Sequence, residues 1–160
     1  MEKSHRLYLV YLSLMFSLVL AVVPLPAMVK LFRPDWPLLV LFYWALALPF
    51  RVSIGTAFVV GFLLDVLVGT VLGVNALAYS VIIYFCSAHH LKIRNFSILQ
   101  QSLVIALFLA FYHYFIFWLS HFLTGVVFTM AYLWPVVTGA AVWPWIFWLL
   151  RRIRRQFKIH

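Results

Sequence analysis

Charge is what this sequence has least of. Only 9% of its 160 residues are charged, against about 25% in a typical soluble domain. That is too few to coat a globule of this length. One cysteine, Cys86, rules out an intrachain disulfide, and its apolar surroundings make it a small core residue rather than a reactive thiol. No stretch rich in Pro, Gly, Ser or charge is long enough for a linker, so residues 1–160 read as a single integral membrane domain.

Catalytic constellations are missing too. An intramembrane aspartyl protease needs two cooperating carboxylates, and only Asp65 falls inside an apolar run. No P-loop, glycine-rich phosphate fingerprint or nucleophile motif occurs. The segments between apolar runs are too short to build a catalytic domain. The chain therefore reads as non-enzymatic, with no cofactor. A formal net charge of +9 could suggest a nucleic-acid binder. Its basic residues instead sit in short breaks between apolar runs and in a terminal tail, which is a topology signal.

What is present is apolar: 67% hydrophobic and 19% aromatic residues, with a mean hydropathy of +1.09. A spanning helix needs about 17–25 mostly apolar residues. The runs predict an all-α, polytopic membrane bundle of six transmembrane helices, at about 7–27, 36–50, 53–72, 76–91, 99–123 and 132–150. The first run is too long for a signal-peptide h-region. With both ends in the cytoplasm, Lys3, Arg6, Arg51, Lys92, Arg94 and the tail of residues 151–160 lie inside, leaving only Lys30 and Arg33 outside. Trp36, Trp118, Tyr132, Trp134 and Trp148 fall near span ends, as interfacial aromatics do. The tail residues Arg151, Arg152, Arg154, Arg155 and Lys158 would lie along anionic head groups, fixing topology or meeting a cytoplasmic partner.

Asp65 is the expensive residue, since Asp at a helix centre costs about 2.5–3.5 kcal/mol on insertion scales. Gly61, Asp65, Gly69 and Gly73 recur every fourth position on one close-packing helix face that would turn Asp65 into the bundle. Arg33 is the leading charged candidate to meet it, with Asn75 and His113 as polar alternatives. Arg33, Asp35, Asp65 and Asn75 thus form a candidate polar pocket or packing site. His113 and His121 lie eight apart, but a metal site needs three or four ligands, so bundle histidines are favoured. His89 and His90 read as interfacial. Ser13, Ser17 and Ala21 make a small stripe suited to docking or to internal packing. Trp143-Pro144-Trp145 predicts a kink in the last helix.

Three stretches carry a family resemblance. They are Phe32 to Pro49, with Arg33-Pro34-Asp35; Gly61 to Tyr79, with Leu64-Asp65, Gly69, Gly73 and Asn75; and Val142 to Arg152. Together they resemble the bacterial rod-shape-determining MreD family over nearly the whole chain. The resemblance implies a fold like the six-helix substrate-binding subunit of ECF vitamin transporters. It also implies an inner-membrane subunit of the elongasome, which inserts lateral-wall peptidoglycan. Its partners would be MreC and, through it, MreB, RodA and a class B penicillin-binding protein. Membrane lipids would surround it, and no nucleic acid is implied. The alternative reading is a lipid- or small-molecule-binding subunit with Asp65 and Arg33 at its pocket.

Overall fold

One helix of this chain is apolar on every side, and the others are arranged around it. The structure is a computed structural model that describes residues 2–23, 36–47, 52, 54–69, 72–125 and 134–156. Among them are seven helices: α1 (Glu2–Val22), α2 (Trp36–Ala47), α3 (Ile54–Val68), α4 (Val74–Ala88), α5 (His90–Arg94), α6 (Ile98–Thr124) and α7 (Trp134–Gln156).

The sequence of α2, Trp-Pro-Leu-Leu-Val-Leu-Phe-Tyr-Trp-Ala-Leu-Ala, has no polar face, and every residue from Pro37 to Leu46 is buried. A helix without a polar side belongs in a core. It packs against α1, α4, α5 and α7. Its proline stands in the first turn, where a missing N–H costs nothing. Trp44 is fully buried, and its Nε1 donates to Ser13 Oγ on α1 at 2.8 Å. Ser13 Oγ in turn donates to the Val10 carbonyl at 2.6 Å. Ser17 is buried as well, so the small stripe of α1 faces inward, against α2 and α3.

The helices α3 and α4 share the most extensive contact of the bundle. The long helix α6 opens on a capping box: Ser97 Oγ accepts the Gln100 N–H, and Gln100 Oε1 accepts the Ser97 N–H at 3.2 Å. It pairs with α7, where Gly139 leaves room for Leu109, whose Cδ1 would lie 2.6 Å from an added Cβ. Pro144 sits within α7. The tryptophans beside it diverge: Trp143 is fully buried and Trp145 is exposed.

The expected six spans are corrected by helix length. Only α6, over Ile98–Leu123, is long and apolar enough among the described residues to cross a membrane. The apolar parts of four other helices, Tyr8–Val22, Trp36–Ala47, Ile54–Val68 and Val74–Ala88, run to 17 residues or fewer. At ~1.5 Å per residue, helices of 12 and 15 residues reach about 18 and 22 Å, short of a hydrocarbon core of about 30 Å. The fourth predicted span stops early because the chain turns at His89 and starts the separate helix α5. The sixth region forms a helix of 23 residues, but prolines, tryptophans and arginines dilute its apolar character.

The surface of α6 suits a bilayer. Leu99, Leu103, Leu107, Phe111, Tyr114, Trp118 and Phe122 are all exposed. Their spacing of three or four makes one continuous stripe, and only 17% of the most apolar stretch of the helix is buried. A core helix would be covered by its neighbours. From Leu99 to Phe122 the stripe runs ~35 Å, the depth of a hydrocarbon core. An exposed apolar surface of that extent marks membrane association.

Candidate functional site

Asp65 sits near the end of α3 and is completely buried. One turn before it, Gly61 lets α3 meet α4 backbone to backbone. A Cβ there would lie 2.6 Å from both Ala76 Cα and Asn75 O, a distance no side chain tolerates. This close approach brings the carboxylate of Asp65 to the first turn of α4.

There Asp65 acts as the cap that α4 lacks. The residue at the N-cap position is Gly73, with φ 96° and no side chain to accept a bond. Asp65 Oδ2 accepts the N–H groups of Gly73 at 3.0 Å, Asn75 at 3.2 Å and Ala76 at 3.3 Å. Oδ1 accepts the Asn75 backbone N–H at 3.2 Å and Asn75 Nδ2 at 2.8 Å. Free N–H groups at a helix N-terminus are otherwise unsatisfied, and the helix dipole favours an anion there. Such charge-assisted bonds are about twice as strong as neutral ones. They offset the cost of placing a carboxylate in an apolar bundle.

Asn75 extends the network. Its Oδ1 accepts the hydroxyl of Tyr112 on α6, and the Tyr112 ring packs on Tyr79 with centroids 5.4 Å apart. Three helices are thereby joined through one carboxylate, one amide and one phenol. Tyr112 escaped the sequence reading because a tyrosine in an apolar run looks like aromatic bulk. Only its place one turn from other inward positions of α6 could have singled it out.

The other expected residues scatter. Arg33, Asp35 and Lys158 lie outside the described residues. Gly69 and Gly73 both carry positive φ, 79° and 96°, with nothing within 4 Å of an added Cβ; they serve the turn, while Gly61 serves the close contact. Arg151, Arg152, Arg154 and Arg155 ride the last turns of α7, with Arg152 over the Trp148 ring at 5.4 Å. His113 is half-buried beside Tyr112, and His121 stacks on Phe117 at 5.8 Å. His89 and His90, at the junction of α4 and α5, contact the carbonyls of Phe85 and Ser87 at the end of α4. Among the described residues, no cluster of three or more metal-ligating side chains occurs. Cys86 is buried.

An apolar helical bundle with one bilayer-length exposed stripe, locked by an internal polar network, defines a helical membrane-associated protein. The chain belongs to the MreD family: the family model described as rod shape-determining protein MreD matches residues 2–153. It is similar to the rod shape-determining protein MreD of Haemophilus influenzae (strain ATCC 51907 / DSM 11121 / KW20 / Rd), with 38% identity over 148 residues, covering 90% of this chain and 89% of the relative. No solved structure matches it, and the expected likeness to the ECF-transporter subunit fold is corrected accordingly: nothing supports it. Family membership gives the chain a non-enzymatic, membrane-associated role in maintaining cell shape.

Proposed function

We propose that the chain is a scaffold of the bacterial inner membrane, in the machinery that builds the lateral cell wall. In this reading it holds MreC and, through it, MreB filaments, the glycosyltransferase RodA and a class B penicillin-binding protein. The family match over residues 2–153 carries the proposal. Two features of the molecule support it. The polar side chains of the Asp65 site are spent on joining helices, as a rigid scaffold requires. The exposed stripe of α6 offers other membrane helices a long apolar surface. Basic residues of α5 and the end of α7 suit a cytoplasmic face.

A ligand pocket at Asp65 is the less favoured reading, because both of its oxygens already accept hydrogen bonds from this chain. Depletion in a rod-shaped host tests the scaffold. Cells should round up, and pull-down in mild detergent should recover MreC. Normal rods after deletion would sink the reading.

A further inference from the structure

The end of the bundle opposite the Asp65 cap holds a cleft of about 380 Å³. It gathers Arg94 from the end of α5, Arg151 and Arg154 from α7, Gln101 from the start of α6, Tyr43 from α2 and Phe147 from α7. Three arginines from two helices line it. Asp65 is the one carboxylate whose side chain is described, and it is engaged at the far end of α4. The arginines thus meet no acidic partner among the described residues.

The cleft is built rather than incidental. Arg151 is laid over the Phe147 ring at 5.9 Å, and that ring meets Tyr43 edge-on at 5.6 Å. Tyr43 also lies in the field of Arg154 and Arg151. Gln101 is 2% exposed. Its Nε2 donates to the Ile93 carbonyl at 3.1 Å, while its buried Oε1 has no hydrogen-bond partner. A buried acceptor left unpaired is costly and calls for a donor. The cleft therefore sets cationic side chains suited to an anion beside a buried glutamine whose acceptor is unpaired.

We propose that this cleft binds the head group of an anionic phospholipid that carries a hydroxyl next to its phosphate, phosphatidylglycerol being the type. Arginine forks match phosphate oxygens, and Gln101 Oε1 would accept the hydroxyl. The volume sits at the small end of ligand sites, which run from about 300 Å³, so it suits a head group rather than a whole lipid. Apolar residues also line the cleft, Leu46 and Ala47 from the end of α2 and Phe147 from α7, and the acyl chains would lie against them. A soluble phosphate ester would make no use of that surface. This inference stands independently of the scaffold role.

Native mass spectrometry of the full chain in detergent, titrated with phosphatidylglycerol or phosphatidylcholine, tests it. Phosphatidylglycerol should be retained and phosphatidylcholine should not. The pair Arg94→Gln and Arg154→Gln should cut retention on the order of tenfold, while Arg152→Gln, outside the cleft, leaves it unchanged. Should the double variant fail to fold, Arg154→Lys decides: it keeps the charge but not the fork, and retention should still fall severalfold. Equal retention in wild type and variants, or of both lipids, overturns the proposal. So does glycerol 3-phosphate binding as tightly as the lipid, or displacement of the lipid by a polyglutamate peptide, which would make the cleft a seat for an acidic protein segment.

Discussion

Asp65 Oδ1 accepts the side-chain amide of Asn75 at 2.8 Å, across ten residues and from one helix to the next. The same carboxylate caps the helix on which Asn75 stands. Substituting Asp65→Ala removes every one of these acceptors and leaves N–H groups of the first turn of α4 buried and unpaired. A loss of about 3 kcal/mol is expected. Asp65→Asn keeps one acceptor but turns an NH2 group toward other donors, and should cost about 1–2 kcal/mol. Thermal unfolding followed by circular dichroism in detergent ranks the two. An Asp65→Ala protein as stable as wild type would show that the cap is dispensable.

Gly61 determines whether that carboxylate reaches α4 at all. In Gly61→Ala the new methyl meets Ala76 Cα and Asn75 O at 2.6 Å, and both are backbone atoms that cannot rotate away. The helices must part, at a cost of about 1–3 kcal/mol. Amide exchange at Gly73, Asn75 and Ala76 should then speed up, because their acceptor has withdrawn. Gly69→Ala has open space around it and suffers only the positive φ, about 1–2 kcal/mol. Protection of those three amides should separate the two variants.

The reach of the sequence is clearest at these same positions. Fourfold spacing put Gly61 and Asp65 on one inward face, because helical periodicity is local and readable. Periodicity did not say that Gly69 and Gly73 leave the helix, since that depends on the chain reversing after Val68. Nor could it give helix lengths. Trp36 to Phe50 reads as a span by composition, yet the helix described there is Trp36–Ala47 and buried on all sides, an outcome decided by which neighbours cover it. Gln101 was invisible for a related reason. A glutamine at the start of a long helix looks like a solvated first-turn residue, until α5 folds over it.

Tyr112 and Asn75 should behave as one unit. Tyr112→Phe leaves Asn75 Oδ1 buried without its donor, at about 1–2 kcal/mol. Asn75→Ala removes both the amide that meets Asp65 and the acceptor that meets Tyr112. Combining the two should cost less than their sum, with a coupling on the order of 1 kcal/mol. A double-mutant cycle in chemical denaturation reads this directly. Strict additivity would mean that the phenol does not support the cap.

Two leucines a half-turn apart on α6 give the sharpest test of which face the membrane sees. Leu107 is 72% exposed on the apolar stripe, and Leu109 is fully buried against α7. Leu107→Asp places a carboxylate near the middle of the stripe, where insertion should cost about 2.5–3.5 kcal/mol. Packing inside the bundle would be untouched, so the loss should appear as protein missing from the carbonate-resistant membrane fraction. Leu109→Ala does the reverse. It opens a cavity worth about 2–5 kcal/mol, lowering the unfolding temperature of the purified protein while insertion persists. A Leu107→Asp protein that stays in the carbonate pellet at wild-type levels would mean that the stripe is not lipid-facing and is covered by a partner.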